Sequence, residues 1–105
     1  WTKRIYSEIQ ACHPKAVIVI GETGWATRMH AEGEQGRLVK GRAAEPEQQR
    51  FHRELVAWSA KKKVPVFYFV AFDESWKGGP HPDEIEKHWG LFHADRRPKL
   101  AMEKN

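Results

Sequence analysis

The chain has 105 residues, enough for one small domain that buries roughly two thirds of its unfolded surface. Its 18 Lys and Arg against 14 Asp and Glu give a net charge of +4, but acids are interspersed almost throughout, which argues against a nucleic-acid partner. The single cysteine, Cys12, excludes an internal disulfide and a thiolate zinc cage, and its expected place is the core.

Trp1, Ile5, Ile9 and Cys12 fall at helical spacing until His13-Pro14 breaks the pattern, so residues 1–12 are expected to form a helix. A chain that opens on Trp1 inside a helical pattern reads as a piece of a longer polypeptide, with any targeting signal upstream. No apolar run approaches the roughly 20 residues that a bilayer span needs. Residues 16–22 follow as a strand, in which Val17-Ile18-Val19-Ile20 calls for burial on both faces, as in a central parallel strand. Residues 23–44, with Gly24, Gly33, Gly36 and Gly41 and charges of both signs, form a long connection, and loops of that length are often functional.

Glu45-Pro46-Glu47 opens a second helix, over 45–62, because proline suits the first turn and the acids complement the helix dipole. Phe51, Leu55 and Trp58 give it an apolar face, and Lys61, Lys62 and Lys63 are cations at its C-terminal end. Val64–Phe72 then reads as a second buried strand that ends, like the first, in carboxylates, here Asp73 and Glu74. A short turn of helix is expected after Pro98.

Helix, strand, helix, strand with acids at both strand ends is the order of a parallel α/β unit, in which chemistry collects at the carboxyl ends of the strands. Glu22 and Glu74 are therefore expected side by side on one rim, either as a working pair or as solvated strand ends. Paired carboxylates suit glycoside hydrolysis, where one acid protonates the leaving oxygen and another attacks the sugar or activates water. Trp25 and Trp76, close to these acids, are either platforms for a pyranose ring or packing residues. Lys77 places a cation that would keep a nucleophilic carboxylate ionised, the alternative being a solvated loop lysine. His81, His88 and His93 have no common metal-ligand spacing, and Ser59 and Ser75 no nucleophile-elbow context.

GETGW at 21–25, FDESWK at 72–77 and EKHWGLF at 86–92, in this order and joined by a helix carrying Glu47-Gln48-Gln49, resemble glycoside hydrolase family 17. The resemblance covers nearly the whole chain. It implies an α/β fold, the C-terminal fragment of a TIM (β/α)8 barrel, with residues 1–105 supplying the last two β/α units as two parallel strands with flanking helices. It further implies retaining cleavage of β-1,3-glucan-type polysaccharide, with no cofactor and no metal. Glu22 falls on the nucleophile, and Glu74, Lys77 and Glu86 fall on cleft residues that support it; Trp25, Phe72 and Trp76 complete the substrate-facing set. The general acid of the family lies in an Asn-Glu pair on an earlier strand, and this sequence has no such pair.

The expected partners are accordingly a β-glucan oligo- or polysaccharide and the upstream part of the same barrel, and the resemblance implies an extracytoplasmic or membrane-attached parent protein. Ala26-Thr27, where plant members carry proline and serine, leaves substrate choice open. Glucosyl transfer is the alternative within the same chemistry, and a non-catalytic glucan-binding or assembly fragment is the alternative outside it. Two strands alone leave edges and one face bare, so the isolated chain is expected to self-associate or to be marginally stable. Without a positioned acid it is also expected to be inactive, at a cost of roughly 10²- to 10⁴-fold.

Overall fold

A computed structural model describes residues 1–104. Two short strands, β1 (Ile20–Thr23) and β2 (Val66–Tyr68), pair in parallel with Ile20 opposite Val66 and Thr23 opposite Tyr68. Parallel neighbours need a long crossover, and helix α3 (Glu45–Lys62) supplies it. Its bounds are those read from the sequence, with Pro46 in the first turn, Glu45 and Glu47 beside it, and Lys61 and Lys62 in the last turn. Lys63 closes α3 in the left-handed conformation (φ 55°), after which the Ser59 hydroxyl donates to the Val64 carbonyl at 2.7 Å and starts the chain into β2.

An aromatic layer joins α3 to the sheet. Phe51 lies 5.5 Å from Trp25 and 6.3 Å from Tyr68 between ring centroids, and His52 meets Tyr68 at 5.3 Å. Burial pushes the Tyr68 hydroxyl up to about 12 and lowers His52. The buried apolar residues are few: Ala26, Leu55, Val64 and Ile85.

Three expectations change. The first strand is shorter than residues 16–22, because residues before Ile20 have no neighbouring strand to bond to: Val17 is 89% exposed and Val19 is also in solvent. Helix α1 (Thr2–Cys12) forms where expected but buries none of its residues, and it leaves Cys12 exposed instead of in the core. It meets α3 through Tyr6, whose ring lies edge-on to Trp58 at 5.2 Å. The second strand also stops early, and residues 70–73 bond instead to 89–92: the Leu91 and Phe92 amides donate to the Val70 and Ala71 carbonyls at 3.0 and 2.8 Å.

The long connection 23–44 is not loose. It contains a helix, α2 (Glu34–Leu38), and docks on residues 81–84 through Arg28 to Asp83 at 2.7 Å and Gln35 to Glu84 at 3.0 Å. His30 and His81 stack at 3.6 Å, so His81 serves this docking. A 3₁₀ turn at Leu100–Met102 sits against α3, the Leu100 amide donating to Glu45 Oε1 at 3.2 Å and Gln49 Nε2 to the Leu100 carbonyl at 3.0 Å.

Candidate active site

Glu22 is the third residue of β1, and its side chain enters an open groove of about 310 Å³ lined with Thr23, Gly24, Phe69, Glu86 and Trp89. The two strand ends meet here as closely as chains can: a Cβ on Gly24 would stand 1.9 Å from the Phe69 carbonyl oxygen. The glycine of GETGW is therefore the condition for bringing the β1 and β2 ends together, and with them the groups on the segments that follow.

Lys77 is the cation of this rim. Its Nζ lies 2.7 Å from Glu74 Oε2 and 4.8 Å from the centre of the Phe69 ring. The hydrogen bond to Glu74 raises its pKa most; the nearby charges of Glu74, Glu86 and Glu22 add to this, while partial burial opposes it. One ammonium thus faces three carboxylates, two of which line the groove. Glu22, Glu74, Glu86 and Lys77, read from three separate motifs, come together on one side of the strand ends. Such a set offers a carboxylate at a fixed position with a permanent positive charge beside it, and further acids within reach.

The aromatic residues divide. Trp25 is half-buried, its indole donating to the Arg42 carbonyl at 2.9 Å and its ring packed on Phe51, and it does not line the Glu22 groove. Trp76 is 75% exposed and borders a second, larger hollow of about 770 Å³ with Asp73, Lys87 and His88. Phe72 is exposed and packs against Phe92 at 5.6 Å, outside the Glu22 groove. The groove's own indole belongs to Trp89, which meets Phe69 at 6.3 Å and lines the wall next to Glu22 and Glu86. Trp89 was not singled out from the sequence, although it stands in EKHWGLF three residues after Glu86.

His88 and His93 lie near carboxylates, Asp73 at 3.8 Å and Glu45 at 3.9 Å. Among the described residues no group of three His, Cys, Asp or Glu side chains is placed to hold a metal ion. No described helix is long and apolar enough to cross a membrane.

Parallel strands joined by a helical crossover, with acids gathered at their carboxyl ends, form a β/α unit with a polar groove at its rim, the arrangement that (β/α)8 barrels repeat. Residues 8–103 match the pattern of Glycosyl hydrolases family 17, and the chain belongs to that family. A glucan 1,3-beta-glucosidase of Arthroderma benhamiae is 37% identical over 87 residues, covering 79% of this chain and 27% of the relative. A glucan endo-1,3-beta-glucosidase of Nicotiana tabacum, acidic isoform GL153, is 29% identical over 101 residues, covering 88% of this chain and 25% of the relative. In three dimensions the chain superposes on an endo-laminarinase from Formosa Hel1_33_131 with a TM-score of 0.76 at 32% identity, over 93% of this chain and 24% of that one. It also superposes on a glycoside hydrolase family 17 beta-1,3-glucanosyltransferase from Rhizomucor miehei with a TM-score of 0.71 at 22% identity, over 93% of this chain and 33% of that one, a likeness of fold. The chain spans about a quarter of the length of the first two curated relatives, 27% and 23%.

Proposed function

We propose that this chain forms the nucleophile side of a site that cleaves β-1,3-glucan with retention, as the last two β/α units of a (β/α)8 barrel. Glu22 attacks the anomeric carbon and forms the covalent glucosyl intermediate. The general acid comes from an earlier strand of the same barrel, and the upstream strands are the partner that completes the sheet. Lys77, Glu74 and Glu86 keep the charge balance of the cleft, and Trp89 forms its wall.

The observation that carries this reading is the groove itself. Glu22 lines it with Glu86 and Trp89, and the charge of Lys77, itself bonded to Glu74, acts on it from alongside. A carboxylate at the end of a strand, facing an open groove, stands where a nucleophile must be to reach a bound sugar. The relatives' printed activities, on glucan 1,3-β bonds and on laminarin, give the substrate class. Hydrolysis and glucosyl transfer share the covalent intermediate and differ only in the acceptor, water or a sugar hydroxyl.

The test is to trap the polypeptide that carries this chain with a 2-fluoro glucoside and to map the labelled peptide by mass spectrometry. The label is expected on Glu22, and a label on Glu74 or Glu86 overturns the assignment. Product analysis with and without added laminari-oligosaccharide separates hydrolysis from transfer.

A further inference from the structure

Behind the groove lies a buried polar cluster that the proposed chemistry does not use. Lys99 is 1% exposed, and its Nζ donates to Thr27 Oγ1 at 2.8 Å and to Asp73 Oδ1 at 2.7 Å. Asp73 Oδ1 also accepts from the Gly90 amide at 2.9 Å. Thr27 in turn bonds to the His88 carbonyl through its amide at 2.9 Å. Gln48, fully buried on α3, donates to the carbonyls of Trp25 at 3.0 Å and Gly90 at 2.8 Å. A Cβ on Gly90 would lie 2.2 Å from the Asp73 amide nitrogen, so the segment is held without slack.

These bonds converge on two short stretches. One is 25–27, which follows the end of β1 two residues beyond Glu22; the other is 88–90, which carries Trp89 into the groove. A buried ammonium is costly to desolvate, and an apolar residue of similar size in place of a buried ion pair often stabilises a protein, so stability alone does not account for Lys99. Burial lowers the Lys99 pKa, and the Asp73 carboxylate works against that shift. What Lys99 does that an apolar side chain cannot is to bond to Thr27 and Asp73 at once, across the join between the two stretches.

We propose that Lys99, together with Asp73, is a positioning residue for the Glu22 groove: it fixes the Trp89 segment against the turn that follows Glu22. Neither side chain touches the substrate. Their effect passes through the spacing between Glu22 and Trp89, which rests on the reading of the groove as the glucan-cleaving site.

The experiment compares Lys99→Met with the double variant Asp73→Asn plus Lys99→Met in the full polypeptide that carries this chain. Melting temperature, kcat and KM on laminarin, and the 19F resonance of Trp89 in 5-fluorotryptophan-labelled protein, assigned with Trp89→Phe, are measured for each. Lys99→Met is expected to lower both the melting temperature and kcat/KM, the latter about 10²-fold, since a small misplacement of reacting groups has an effect of that order. The double variant leaves no lone buried charge and keeps an acceptor for the Gly90 amide. It is expected to regain the melting temperature but not kcat/KM, with the Trp89 resonance still displaced. Recovery of kcat/KM together with the melting temperature, or an unmoved Trp89 resonance, overturns the proposal. Should Lys99→Met fail to fold, the double variant decides alone. If the unmodified polypeptide does not cleave laminarin, the reading of the site fails, and the fluorine resonance still decides whether Lys99 positions Trp89.

Discussion

Lys77 Nζ and Glu74 Oε2 stand 2.7 Å apart, a pair internal to the FDESWK segment whose lysine also feels the charges of Glu86 and Glu22. Glu74 is thereby committed to the lysine, whereas Glu22 and Glu86 face the open groove.

Replacing Lys77 with methionine removes the one ammonium shared by these acids. Turnover of laminarin by the full polypeptide is expected to fall about 10²-fold, a usual cost of losing one aimed charge or donor in a site. The Lys77 pKa is raised by Glu74 first, so its charge persists below its ordinary value of 10.5 and is lost only as the pH rises through the higher folded value. The unmodified protein should therefore show no acidic or neutral limb due to Lys77, and the variant's pH profile should differ from it through the carboxylates alone. A Lys77→Met profile that superposes on the original at full rate counts against the role.

Glu22→Gln keeps the size and shape of the side chain and removes the charge of the oxygen proposed to attack. Activity is expected to drop by roughly 10⁴-fold or more, as when other covalent nucleophiles are removed. Binding of a laminari-oligosaccharide, followed by calorimetry, should persist. A variant retaining a tenth of the original rate would place the nucleophile elsewhere.

Gly24→Ala introduces a methyl group at 1.9 Å from the Phe69 carbonyl oxygen, and Phe69 is tied to β1 by its amide, which donates to the Thr23 carbonyl at 2.8 Å. The strand ends must separate. A loss of stability of about 1–3 kcal/mol or more is expected, and the midpoint of urea unfolding reads it. An unchanged midpoint would mean that the two strand ends are not in contact.

Tyr68 gives an alkaline limit. Burial holds its hydroxyl neutral up to about 12, against an ordinary value of 10.0, so the folded chain keeps a proton that the unfolded chain releases. Stability is therefore intact below pH 10 and falls between pH 10 and 12, by about 2 kcal/mol after allowance for the partly exposed ring. Tyr68→Phe should remove that component, which alkaline unfolding curves of the two proteins compare directly.

The exposed Phe67, at 65%, together with Val17 and Val19 and the free edges of a two-stranded sheet, predicts self-association of the isolated 105-residue chain or a low melting temperature. Light scattering over a range of concentrations measures it. A well-folded monomer with a high melting temperature contradicts it.

Those same apolar runs explain what was legible in the sequence. The bounds of α3 follow from Glu45-Pro46-Glu47 and the closing lysines, because these signals are local, whereas the grouping of Glu22, Glu74, Lys77 and Glu86 comes from the family resemblance of three separate motifs. The strand lengths were not legible, since hydrophobicity marks a segment that calls for neighbours and says nothing of how many are present. Which tryptophan lines the Glu22 groove was not legible for a similar reason. Each stands in a motif, and only the docking of the Gly41–Arg42 turn on one indole and of Phe69 on the other decides which is covered. Lys99 gave no signal, and Gln48 only its place in Glu47-Gln48-Gln49, because a lysine or glutamine in a polar stretch reads as solvated until partners far along the chain enclose it.

The Thr27–Lys99 bond closes a separation of 72 residues. Contacts of such range form late in folding, because the loop entropy must be overcome before the contact contributes anything. During synthesis Glu22 leaves the ribosome long before the lysine that braces its surroundings. The groove is thus among the last parts of the chain to take shape, and a nascent chain interrupted before Lys99 carries the acids of the site without the geometry that relates them.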